Sequence, residues 1–111
     1  MPRRNYLGEM ELMVLLAVLR LDDEAYGVPI SKELLVLAGR EVALGSIYAA
    51  LDRLAQKGFV SSLLGDPTPE RGGRAKRYFS VTPTGLRALK TTRAALTNLW
   101  SGIPLLEGRR L

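Results

Sequence analysis

The sequence contains no cysteine and no histidine. Without cysteine there is no disulfide framework and no thiolate metal site, and the chain is compatible with a reducing cytoplasm. Without histidine, the commonest metal ligand and the commonest general base are both missing. The acids do not restore an enzymatic reading. Asp22, Asp23 and Glu24 form the only tight acidic cluster, between two apolar segments. They read as a solvated loop leading to the next helix rather than as a cation site. The Ser and Thr residues have no base in a recognisable nucleophile motif. No catalytic site, metal or cofactor is expected. A long hydrophobic run is also absent. The longest, Leu12–Leu19, is far short of the roughly 20 residues that a membrane helix needs. Glu9 and Glu11 precede it and no small-residue cleavage site follows, so neither a membrane span nor a signal peptide is expected.

What is present is small and asymmetrically charged. A chain of 111 residues suggests one domain. A domain this size buries only about two-thirds of its unfolded surface, so a partner subunit would help it. From Arg71 onward there are nine basic residues and one acid, Glu107, a net +8. The first 70 residues hold seven basic residues and ten acids, a net −3, which together give the +5 of the chain. A basic half points to an anionic partner, most often nucleic acid, with charge kept for solubility as the plainer alternative.

Hydrophobic periodicity predicts a first, buried helix over about Leu7–Arg20, with apolar residues almost encircling it. A second is predicted over about Val28–Ala38, with Pro29 in its first turn, Ile30, Leu34 and Leu37 on one face, and Gly39 as its stop. The third starts near Gly45 and ends at Gly58. Ile47, Leu51 and Leu54 point inward, and Gly45, Ala49, Asp52, Arg53 and Gln56 point outward, flanked by Ser46 and Tyr48. Phe59–Leu64 and Arg77–Val81 read as strands joined by a Gly- and Pro-rich tip, longer than the usual hairpin loop of about two to five residues. Phe79 and Val81 are expected on the core face, with Lys76 and Tyr78 facing the other way. Thr82 then reads as an N-cap and Pro83 as the first residue of a fourth helix reaching about Ser101. Gly85 stands where a capping box would place Glu or Gln.

Three helices followed by a hairpin is the order of a winged helix-turn-helix, an α+β and mainly helical fold. In that fold the third helix enters the DNA major groove and the hairpin tip, or wing, reaches the adjacent backbone or minor groove. The wing sequence ERGGRAKRYF suits this: glycines let the tip follow a groove, basic side chains neutralise phosphates, and the aromatic pair roots the wing in the core. The alternative is an ordinary hairpin with a solvated basic turn.

The segments GSIYAALDRLAQKGFVSS (Gly45–Ser62) and GGRAKRYFSVTPTG (Gly72–Gly85) carry a resemblance to the PadR-like family of bacterial transcriptional regulators. Family members have a helix of the form G-T-L-Y-x-A-L-x-R-L, an E/K-G-hydrophobic lead into the wing, and a wing ending G-R-x-R-K-Y-Y-x-L-T-x-x-G. The Tyr26–Gly27 pair and the leucine pattern of the first helix also match, so the resemblance spans roughly residues 7–90. It implies a cytoplasmic, homodimeric repressor on a palindromic operator in double-stranded DNA. It also implies a single C-terminal dimerisation helix and release by a small hydrophobic or aromatic effector. Three positions depart from the pattern. Ala49 stands where Pro is frequent. Asp52 stands where basic or polar residues are frequent, though an acid there could accept from cytosine N4. Leu96 stands where some short members carry a ligand-lining Trp, with Trp100 one turn later.

On this reading residues 1–82 form the DNA-binding domain and 83–111 the dimerisation helix and tail. Ser46, Tyr48 and Ala49 are candidates for base-edge or nearby phosphate contact. Arg53, Ser31 and Lys32 are candidates for backbone phosphate, and Arg71, Arg74, Lys76 and Arg77 of the wing for backbone phosphate or the minor groove. Tyr48 could instead pack against the wing. Arg3 and Arg4 form either a basic arm or a loose terminus. Leu86, Leu89, Leu96, Leu99, Trp100 and Ile103 are the candidate dimer stripe, with Trp100 either in the dimer core or under a ligand. A winged-helix protein-interaction module and an RNA-binding winged helix are the competing functions, since fold alone does not decide.

Overall fold

The computed structural model describes residues 7–65 and 76–108. The element order is α1 (Glu9–Leu21), a 3-10 turn (Asp22–Glu24), α2 (Gly27–Ala38), α3 (Leu44–Gln56), β1 (Val60–Leu64), β2 (Arg77–Val81) and α4 (Pro83–Trp100). The helical order and both strands fall where the hydrophobic pattern placed them, with ends shifted by one or two residues.

The first three helices pack around one core. Val14, Leu15 and Val18 of α1 meet Ile30 and Leu34 of α2 and Ile47, Leu51 and Leu54 of α3, all buried. α2 ends as its sequence requires. Gly39 adopts the left-handed conformation (φ 66°), and the Arg40 amide donates to the Leu34 carbonyl at 3.1 Å. Leu37 departs from expectation. It is 57% exposed and does not share the buried face of Ile30 and Leu34. Periodicity places it on that side, but the last turn of α2, Leu35–Ala38, is exposed all round because it runs past the end of the core. α1 is likewise less enclosed than its leucine content suggests, with Leu16 and Leu19 open on one side.

The strands form an antiparallel hairpin in the register Val60↔Val81 to Leu64↔Arg77. Phe59 and Phe79 are buried and root the hairpin in the core. The free edge of β2 is covered: the Phe79 amide donates to the Ala25 carbonyl at 2.8 Å, so the segment before α2 lies alongside the strand.

Thr82 caps α4. Its hydroxyl accepts from the Gly85 amide (3.0 Å) and donates to the Gly58 carbonyl (2.6 Å). Gly85 is buried, and a Cβ there would strike the Phe59 carbonyl, so the glutamate of a full capping box has no room. α4 therefore starts against the wing root through Gly85, with Pro83 and Thr84 exposed. Leu89, expected in the uncovered stripe, is only 7% exposed and belongs to the core of its own chain. Beyond Thr92 every described residue of α4 is exposed.

Candidate nucleic-acid interface

The outer face of α3 is built from what the inner face leaves over. With Ile47, Ala50, Leu51 and Leu54 turned inward, helical geometry turns Gly45, Ser46, Ala49, Asp52 and Gln56 to solvent. The first two turns of that face carry nothing larger than a serine hydroxyl along the Gly45, Ser46 and Ala49 row. Another surface can approach the α3 backbone closely there.

Tyr48 sits at the edge of this face, 38% exposed. Its phenol end lies against Gly27, where a Cβ would collide with the ring. Its packing partner is thus the start of α2, where the sequence suggested the wing. The Tyr26–Gly27 pair gains its reason here: the glycine makes room for the Tyr48 phenol. Tyr26 next to it receives the wing. The Tyr26 and Tyr78 rings meet edge-on at 5.4 Å, and the Lys76 ammonium lies 4.6 Å from the centre of the Tyr26 ring and donates to its hydroxyl at 3.3 Å. Lys76 and Tyr78, which do share a side of the strand, are therefore tied to the start of α2.

Arg77 crosses the hairpin. Its Nε donates to the Ser62 hydroxyl at 3.3 Å, and its guanidinium lies 5.6 Å from the Phe79 ring. Ser31 donates its hydroxyl to the Val42 carbonyl at 3.4 Å, which ties α2 to the segment before α3, while Lys32 is exposed. Arg71 and Arg74 at the wing tip, and Arg3 and Arg4 at the N-terminus, lie outside the described residues.

One residue of the site escaped the sequence reading. Glu11 is only 5% exposed, although it lies on the apolar helix α1. Its carboxylate accepts from the Gly8 amide (2.8 Å), from Lys57 Nζ (2.8 and 3.0 Å) and from Arg53 Nε (3.2 Å). Burial pushes its pKa up. The hydrogen bonds from Lys57 and the Gly8 amide, the Lys57 charge and the Arg53 hydrogen bond outweigh burial, so the carboxyl titrates below its ordinary value. Its sequence signal was an acid amid leucines, three residues after Gly8, which caps α1. Its basic partners lie 42 and 46 residues away, where no local pattern points.

Away from these residues, α1 and α4 line an open apolar groove of about 470 Å³. Leu12, Leu16, Leu19, Leu86, Leu89, Leu96 and Trp100 line it, with Lys90 and Arg93 at its margin. Leu96, Leu99, Trp100 and Ile103 are all exposed, Leu99 at 73% and Trp100 at 60%. Among the described residues no group of His, Cys, Asp and Glu could hold a metal ion, and no helix is long and apolar enough to cross a membrane.

A three-helix core followed by a two-stranded wing defines the winged-helix class of regulators. The chain belongs to the PadR-like family of transcriptional regulators, whose model matches residues 15–91. Members of that family are transcriptional regulators, not enzymes. Solved structures of similar fold include a transcriptional regulator from Clostridium thermocellum, with TM-score 0.68 and 22% identity over 81% of this chain and 82% of that one. A PadR family regulator from Clostridium difficile gives TM-score 0.66 and 20% identity over 83% and 91%. One from Eggerthella lenta gives 0.68 and 25% over 86% and 80%. A search of the curated proteins found no match.

Proposed function

We propose that the chain is a cytoplasmic, sequence-specific repressor that binds a palindromic operator as a homodimer. α3 enters the major groove with Ser46, Tyr48 and Ala49 at its leading end. The wing, with Arg71, Arg74, Lys76 and Arg77, follows the adjacent backbone or minor groove, and Ser31, Lys32 and Arg53 hold phosphates. α4 joins the subunits through Leu86, Leu96, Leu99, Trp100 and Ile103, and the apolar groove beside it is the natural place for a small hydrophobic or aromatic effector. Residues 1–82 then act as the DNA-binding unit and 83–111 as the dimerisation unit, with the first turns of α4 shared between them.

The observation that carries this reading is the outer face of α3: exposed, small at its leading end, and linked through Tyr48 and Gly27 to Tyr26, on which Lys76 of the wing root docks. A protein-docking surface would be expected to centre on large apolar anchors, whereas the Gly45, Ser46, Ala49 and Asp52 row carries none and the exposed Leu44 and Tyr48 stand at its margin. The test is a salt titration of binding to duplex DNA. About six phosphate contacts per dimer give a log–log slope near −5 through counterion release. A flat titration between low and moderate salt removes the reading.

A further inference from the structure

We infer that Glu11 is a positioning residue for DNA binding: from α1 it holds the Arg53 guanidinium at the edge of the α3 outer face, aimed at a backbone phosphate. The inference rests on the proposed DNA-binding reading and assigns a role to a residue that touches no DNA itself.

Arg53 lies one turn beyond Ala49 and two beyond Ser46 on α3, so it trails the leading end of the helix along the same face. Its side chain is 51% exposed while the carboxylate it meets is 6% exposed. The contact uses Nε, the inner edge of the guanidinium. Among the described residues Nε makes the only side-chain hydrogen bond of Arg53, whose side chain is half-exposed. A planar guanidinium gripped by Nε keeps a fixed fork of donors, which matches the geometry of phosphate oxygens. Lys57 takes both Glu11 oxygens at 2.8 and 3.0 Å, and the Gly8 amide donates to Oε1 as well at 2.8 Å. Glu11 is thus held in place before Arg53 reaches it. An arginine free in water loses rotamer entropy when it clamps a phosphate; this one has surrendered part of it on folding.

The inference makes a prediction whose sign opposes simple electrostatics. Glu11→Gln raises the net charge by one per subunit, and charge alone would tighten DNA binding. Positioning predicts weaker binding, by about fivefold per half-site, the scale of one ordinary net hydrogen bond. The experiment measures duplex affinity for the parent chain, Glu11→Gln, Arg53→Ala and the double variant, at a temperature where circular dichroism shows all four folded. The expected result is that Glu11→Gln weakens binding in the parent and has no further effect once Arg53 is alanine. Unchanged or tighter binding by folded Glu11→Gln overturns the inference while leaving the DNA-binding reading intact, as does an equal loss in the Arg53→Ala background. Absence of binding by the parent removes both. Should Glu11→Gln not fold, Arg53→Lys decides: it keeps the charge, loses the fork, and is expected to bind about as poorly as Arg53→Ala. Full affinity in Arg53→Lys overturns the inference.

Discussion

Gly85 lies in the first turn of a helix, where alanine would ordinarily be preferred by about 1 kcal/mol. Its neighbour decides otherwise. A Cβ there would run into the Phe59 carbonyl, a backbone atom held by the hydrogen bond from the Thr82 amide at 3.0 Å. The wing root and the start of α4 approach so closely because nothing stands between them. Gly85→Ala is therefore expected to destabilise the fold by about 1–3 kcal/mol, the usual cost of overpacking, despite the gain in helix propensity. Denaturant unfolding checks it, and a stabilised variant would mean that the wing root yields easily. The cap itself was legible, since Thr82-Pro83 is a strong local signal. The close approach was not, because it depends on Phe59, which a linear pattern does not bring near. Glu11 was hidden for the same reason: its meaning resides in Arg53 and Lys57, far along the chain.

At the scale of elements, α3 and the wing divide the proposed work between reading and gripping. Arg71→Ala with Arg74→Ala is expected to weaken binding to all duplexes alike and to flatten the salt dependence by about one unit for each phosphate no longer neutralised. Substitution at Ser46 or Ala49 is expected to change the ratio of operator to random-DNA affinity, on the scale of about 1–3 kcal/mol per misread base pair. Competition binding against random duplex separates the two. If the wing double variant kept full affinity, the tip would be a solvated turn only. Element types and order were readable because period-2 and period-3.6 patterns alternate cleanly along this chain. The end of the core was not readable. Leu37 and Leu89 both sit in good periodic rows, yet Leu37 is exposed and Leu89 is buried. Periodicity tells which side a residue faces, not whether another element covers that side.

At the scale of the molecule, the outer half of α4 stands away from the body that made it. The radius of gyration is 16.4 Å, against about 13 Å for a compact chain of this length. Leu96, Leu99, Trp100 and Ile103 remain exposed along with Leu16 and Leu19 of α1. Large side chains of this kind contribute about 1.5–3 kcal/mol each when buried, and no described element of the same chain covers them. In the proposed homodimer a second copy would supply a matching surface, because a twofold interface pairs a patch with itself. The same twofold would set two α3 helices about one DNA turn, roughly 34 Å, apart, as a palindromic operator requires. Leu96→Glu places a carboxylate in the middle of this surface, on a half-exposed position that the monomer core does not use. The expected outcome is a folded monomer, or a chain too unstable to purify, whose operator affinity falls towards the non-specific level. Leu99→Glu, further out on the helix and at 73% exposure already well clear of the core, repeats the test with less risk to folding. Sedimentation and DNA titration on the same samples decide it. A well-folded dimer with unchanged operator affinity in both variants would place the subunit contact elsewhere and leave this apolar face without its proposed partner.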